Sequence, residues 1–174
     1  MPAPDRTSLA EIVAAGRRLL ETGGPSRVTM QAVAGEVGVR APSLYKRVRD
    51  REALLDLILA ATAEDLAGAL EATDGTFPEL ARAYRAFAHD QPEGFRLMLA
   101  SQSDPATIAR TSAPVLDAAE ALVGAGEALE AARLLTAWTA GFITMELAGA
   151  FRLGGDVDEA FEFGLATLAA ALSR

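Results

Sequence analysis

The stretch from Val28 to Leu55, VTMQAVAGEVGVRAPSLYKRVRDREALL, constrains the fold more than any other part of the chain. Two short helical patterns stand on either side of a glycine. Thr29 can N-cap the first, whose apolar positions are Met30, Val33, Ala34 and Val37. Gly38 falls where the chain must turn sharply, and glycine takes up positive φ without steric cost. The second pattern opens at Arg40-Ala41-Pro42-Ser43. Proline is tolerated in a first turn, whose N–H groups lack helical partners anyway. Leu44 and Val48 stand one turn apart and can pack inward, which leaves Arg40, Ser43, Lys46 and Arg47 facing out. A short helix with a polar, basic outer face, held by a packed partner, is what a DNA major groove accepts. The stretch has the layout of a helix-turn-helix.

The charge distribution fits. The whole chain carries −8, which by itself speaks against nucleic acid. Residues 1–51, however, hold nine basic and five acidic side chains, a net +4, and the remainder holds seven and nineteen, a net −12. A basic head can face phosphates while an acidic body keeps the protein in solution. There is no cysteine, which excludes disulfides and thiolate metal sites, and a single histidine, His89, argues against a histidine-rich metal or catalytic centre. No cofactor is expected. The opening Met-Pro-Ala-Pro-Asp-Arg has no apolar run of the signal-peptide kind. The longest uncharged stretch, between Arg133 and Glu146, falls short of the ~18 residues of a membrane span. A cytoplasmic protein with no membrane partner is the expectation.

The rest of the chain reads as helix, and the expected class is all-α with about nine helices. Ser8-Leu9-Ala10-Glu11 is a capping box, and Gly23-Gly24-Pro25 ends the helix it opens. Asp50 is a good N-cap for a helix running to about Ala72, and Asp74-Gly75-Thr76 breaks it. Pro78 opens a helix to about Asp90; Gln91-Pro92-Glu93-Gly94 starts the next; Ser103-Asp104-Pro105 starts another, ending near Gly124-Ala125-Gly126. Residues 127–152 are apolar on more than one side, so that helix should be buried, with Gly154-Gly155 as its end. Asp156-Val157-Asp158-Glu159 opens the last helix. The expected division is a three-helix DNA-binding domain over 1–51 and a larger helical domain over 52–174.

The block over about residues 7–57 resembles the DNA-binding domain of the TetR (tetracycline repressor) family of bacterial transcription regulators. The resemblance rests on Thr29, Val33, Ala34, Val37, Gly38, Val39, Ser43, Leu44, Tyr45, Glu52, Leu54 and Leu55. Val48 stands where that family usually has an aromatic, and Arg51 where it usually has lysine. The C-terminal half also resembles a subgroup with Trp-x-x-His-Gly in its penultimate helix, here the one-residue-shorter Trp138-Thr139-Ala140-Gly141, with Ala140 in place of the histidine before the glycine.

These readings assign roles. Arg40, Ala41, Pro42, Ser43 and Lys46 are the candidate base readers: Arg40 or Lys46 toward guanine O6 and N7, Ala41 and Pro42 toward a thymine methyl. Thr29, at a helix N-terminus, can hold a phosphate. The resemblance adds Tyr45, Arg47 and Arg51 as phosphate contacts. It further implies a repressor that binds a palindromic operator as a homodimer and is released by a small apolar or aromatic effector. Candidate pocket residues are Phe87, Phe95, Met98, Trp138, Phe142 and Met145, and candidate dimer-interface residues are Phe151, Phe161, Leu165, Leu168 and Leu172. Gly141, Ala148, Gly149, Ala150, Gly164 and Ala169-Ala170-Ala171 would permit close helix approach between copies. Glu146, a lone acid in an apolar stretch, is expected to pair with Arg133 or Arg152 or to be exposed, and His89 to serve a cap or the surface.

The competing reading is a small-molecule-binding or interaction module that keeps the helix-turn-helix only as structure. An enzyme is not expected: the chain has no G-x-x-x-x-G-K loop, no metal-ligand cluster and no recognisable histidine–nucleophile pair.

Overall fold

The computed structural model describes residues 7–101 and 105–173, and among these every regular element is helical. In chain order these are α1 (Leu9–Gly23), a 3₁₀ turn (Pro25–Arg27), α2 (Met30–Glu36), α3 (Ala41–Leu44), α4 (Arg51–Glu71) and α5 (Phe77–Asp90). They are followed by α6 (Pro92–Ala100), α7 (Pro105–Val123), α8 (Ala128–Leu147) and α9 (Val157–Leu172). The all-α expectation holds. No helix among the described residues is long and apolar enough to cross a membrane.

The helix starts follow local chemistry. Ser8 and Glu11 form the reciprocal capping box that opens α1. Thr29 Oγ1 accepts from the Ala32 N–H at 3.1 Å to open α2, and Asp50 Oδ1 accepts from the Ala53 N–H at 2.8 Å to open α4. Asp156 accepts from the N–H groups of Asp158 and Glu159 to open α9. Ser103 and Asp104, expected at the start of a helix, lie outside the described residues; Pro105 is the first residue of α7. One stop falls elsewhere than expected. Helix α8 ends at Leu147, not at Gly154-Gly155. Gly149 takes φ 61°, its N–H donates to Glu146 O, and the Ala150 N–H donates to Met145 O at 2.9 Å. That is a Schellman closure, and it halts the helix before the later glycine pair is reached.

The chain forms two compact units: Met1–Glu64 with Gln91–Ser103, and Asp65–Asp90 with Asp104–Arg174. Helix α4 runs from the first into the second, whereas the expected boundary between 51 and 52 falls at the start of that helix. In the first unit α1 packs on α2, on the 3₁₀ turn and on α6, and α2 packs on α3. Its core is one cluster built from Ile12, Ala15, Leu20, Val28, Val33, Leu44, Val48, Leu54 and Ile58 and their neighbours. Helix α6 is seated on α1 by its own N-terminus: Glu21 accepts from the N–H groups of Glu93 and Gly94, and Arg17 Nη2 donates to Gln91 Oε1 at 2.7 Å. Gly94 eases the close approach, since a Cβ there would lie 3.1 Å from Glu21 Oε1 on α1 and 3.0 Å from Thr62 Cγ2 on α4.

In the second unit α7 and α8 form the most extensive pair, and α5 packs on α7, α8 and α9. Leu135, Ile143, Phe161 and Leu165 are among its fully buried side chains.

Candidate functional site

Helix α2 ends in the same closure as α8. Gly38 has φ 71°, its N–H donates to Gly35 O, and the Val39 N–H donates to Ala34 O at 2.9 Å. This capping turn redirects the chain into α3 within a few residues. Helix α3 is a single turn of four residues, continued by the Arg47 and Val48 N–H groups, both of which donate to Leu44 O. Lys46 therefore sits on the turn that follows the helix and not within it. Leu44 and Val48 are 1% and 2% exposed and peg the segment into the core. Opposite them Arg40, Pro42, Ser43, Tyr45, Lys46 and Arg47 are all exposed, Tyr45 by 55%. Ala41 departs from the expected set: it is half-buried and packed against the core cluster.

Thr29 is exposed, and its oxygen already serves as the N-cap acceptor, which leaves its hydroxyl hydrogen for donation. Arg51 is placed differently from expectation. Its Nε donates to Val28 O at 2.8 Å and its Nη2 to Pro25 O at 2.5 Å, so one edge of the half-buried guanidinium is taken up by backbone carbonyls of the same chain. The exposed Arg49 pairs with Asp50 at 2.7 Å. The Asp50 carboxyl is held below its ordinary range, first by the Ala53 N–H and then by Arg49.

The residues expected to line an effector pocket are divided between the units. Phe95 and Met98 lie on α6 in the first, Phe95 fully buried. Phe87, Trp138, Phe142 and Met145 lie in the second. Of these, Trp138 and Phe142 are brought together at 5.7 Å between ring centroids, Phe87 is core, and Met145 is exposed. A cavity of about 320 Å³ in the first unit, lined by Glu11, Ala14, Arg18, Glu36 and Val37, shares none of the expected pocket residues.

Two expected interface residues belong to the core of the chain itself. Phe161 and Leu165 are 0% and 1% exposed. The helical spacing of α9 identified an apolar stripe correctly, but that stripe meets α5, α7 and α8 of the same chain. Phe161 stacks on Trp138 at 5.4 Å and meets Phe142 edge-on at 5.1 Å, while Phe151 packs on Phe142 at 4.8 Å. Gly164 likewise serves an internal approach: a Cβ there would fall 2.1 Å from Trp138 Cζ2. Gly141, by contrast, has nothing within 4 Å of its Cβ position. Phe151, Leu168 and Leu172 keep partial exposure, and Phe163, which the spacing pattern did not single out, is 75% exposed.

Glu146 pairs with neither Arg133 nor Arg152. Arg85 on α5 binds it through two parallel contacts, Nε to Oε2 at 2.9 Å and Nη2 to Oε1, and also reaches Asp158 at 2.6 Å. His89 Nε2 lies 3.2 Å from Glu146 Oε2, so that residue has a partner within the fold. Arg82 binds Glu162 and Glu79. Arg82, Arg85 and His89 fall on one face of α5 at i, i+3 and i+7, a pattern visible in the sequence. What the sequence lacked was the identity of the facing acids.

The Arg85 contacts hold the Glu146 carboxyl below its ordinary value of 4.5, with His89 adding to them and burial opposing. A depressed carboxyl contributes stability above its unfolded value and loses it as pH falls through the folded one. Glu146→Gln should cost about 2–3 kcal/mol at pH 7, below the figure for a fully buried pair because Arg85 keeps Asp158. It should also flatten the fall in melting temperature below about pH 4.5. Melting curves from pH 7 to pH 3 would check both, and parallel acid limbs in variant and wild type would count against the assignment.

Comparison with known proteins agrees with this geometry. Residues 12–58 match the family model described as bacterial regulatory proteins, tetR family, and residues 77–168 match that described as tetracyclin repressor-like, C-terminal domain. An uncharacterised HTH-type transcriptional regulator of Mycobacterium tuberculosis is 31% identical over 98% of this chain and 84% of its own length. The class A tetracycline repressor protein from transposon 1721 of Escherichia coli is 30% identical over 86% of this chain and 73% of its own. A solved structure of a protein of unknown function from Rhodococcus sp. RHA1 superposes with a TM-score of 0.82 at 25% identity, covering 100% of both chains.

Proposed function

Because the chain belongs to the TetR family of bacterial transcription regulators, we propose that it is a cytoplasmic repressor that binds a palindromic operator as a homodimer. A small apolar or aromatic effector releases it. The observation that carries this reading is the face opposite Leu44 and Val48. There Arg40, Pro42, Ser43, Tyr45, Lys46 and Arg47 are exposed together on a backbone pinned by a buried leucine and a buried valine. Arg40, Pro42, Ser43 and Lys46 read base edges, while Thr29, Tyr45 and Arg47 hold phosphates. Ala41, half-buried, touches a thymine methyl at most with its exposed edge.

The interface between copies is carried by exposed apolar positions of α8, α9 and the segment that joins them: Met145, Phe151 and Phe163, with Leu168 and Leu172 at the margin. Large apolar side chains left exposed in this way support an association surface. Dimerisation sets two readers about one DNA turn apart, ~34 Å, which is what a palindrome requires. The aromatic cluster of Trp138 and Phe142 supports an apolar or aromatic effector. The Trp138-Thr139-Ala140-Gly141 segment supports membership of the Trp-x-x-His-Gly subgroup without its histidine.

Binding-site selection from a random duplex library tests the proposal. The expected result is an enriched palindrome with half-sites about 10 base pairs apart, bound far above bulk DNA and weakening steeply with salt. Absence of any enriched sequence would favour a sensor whose helix-turn-helix is structural only.

A further inference from the structure

The exposed basic residues of the first unit face solvent, but Arg51 does not join them. It is the first residue of α4, directly after the segment that carries α3. The Nε and Nη2 edge of its guanidinium is filled by the carbonyls of Val28 and Pro25. These two carbonyls bracket the 3₁₀ turn that delivers the chain to Thr29, the N-cap of α2. Val28 is itself fully buried, and the Thr29 N–H donates to Arg27 O at 3.0 Å, so the turn has little freedom once its carbonyls are held. One planar fork thus ties the start of α2 to the residue following the reader segment. The recognition residues between those points, 40–47, are held at both ends of the loop.

We propose that Arg51 is a positioning residue of the DNA reader. It sets the relative placement of α2 and α3 through two backbone carbonyls, and it neutralises no phosphate. The proposal rests on the DNA-binding reading above. The chemistry favours arginine for this task. Its two donors on one edge match two acceptors at fixed separation, whereas a lysine ammonium at this position is a compact point charge on a flexible stem. Lysine, usual at this position in the family the chain resembles, would keep the charge and lose the fork.

The salt dependence of operator binding separates positioning from phosphate contact. Each phosphate contact removed lowers the slope of log K against log salt by about 1. Arg51→Ala should weaken binding to the selected operator about tenfold with that slope unchanged. Arg47→Ala should lower the slope. Arg51→Lys should recover little of the loss. A second measurement needs no DNA: amide hydrogen exchange over residues 28–37, with residues 157–172 as internal reference. Arg51→Ala should speed exchange in the first segment about tenfold and leave the second unchanged.

The proposal is overturned if Arg51→Ala lowers the salt slope and Arg51→Lys restores it, which is the behaviour of a phosphate contact. It is equally overturned if exchange over residues 28–37 does not change. Should the wild-type protein select no operator, the DNA-binding reading fails, and the exchange measurement still decides whether Arg51 braces the turn.

Discussion

Phe161→Ala should destabilise the protein by about 3–5 kcal/mol, the range for removing a buried phenylalanine. The ring is completely buried, stacks on Trp138 at an interplanar angle of 20°, meets Phe142 edge-on, and lies beneath the Arg85 guanidinium at 4.7 Å. Its removal takes away an aromatic partner from two rings and the face over which a cation sits, in addition to leaving a cavity. Trp138 is the only tryptophan, so its near-ultraviolet signal reports on this cluster directly. The same variant separates two roles for α9. A core residue lowers the melting temperature by the same amount at every protein concentration. An interface residue makes the loss concentration-dependent, because subunit association then contributes to apparent stability. The burial of Phe161 favours the first outcome. A loss confined to low concentration would return the residue to the interface.

The double variant Arg40→Ala, Lys46→Ala should weaken operator binding by about 3–4 kcal/mol, a hundredfold or more, while leaving the fold intact. Both side chains are exposed, and neither takes part in the core cluster that fixes α3. Exposed substitutions of this kind usually change stability by less than about 0.5 kcal/mol. Binding to random duplex should fall much less, since phosphate contacts supply most of non-specific affinity. A mobility-shift titration with operator and random duplex, beside a thermal melt, measures all three quantities. Equal loss on both duplexes would recast Arg40 and Lys46 as phosphate contacts. Unchanged affinity would move the reading face away from α3.

Much of the reader was legible before any coordinates. Thr29, Gly38, Leu44 and Val48 act over one to five residues, through an N-cap, a left-handed turn and i,i+4 packing. Local sequence carries each of these completely. The capping boxes at Ser8 and Asp156 were legible for the same reason. The end of α8 was misplaced because two glycine signals competed, and the earlier one, Gly149, could complete its closure first.

The sequence by itself determined that this chain is helical, that a basic head precedes an acidic body, and that Arg40, Ser43, Lys46 and Arg47 of the head turn outward. Period, cap and charge are properties of neighbours along the chain. Only the tertiary structure decided what each apolar stripe and each charge meets. The stripe of α9 is apolar whether it faces α8 or a second copy, and burial alone assigned Phe161 and Leu165 to the interior. Arg51 carries the same charge toward a phosphate or toward Pro25 O and Val28 O, carbonyls 26 and 23 residues away. Glu146 had several arginines open to it, and the packing of α5 on α8 chose Arg85, 61 positions distant. Contacts at such separations depend on how the helices assemble, and no local pattern records that.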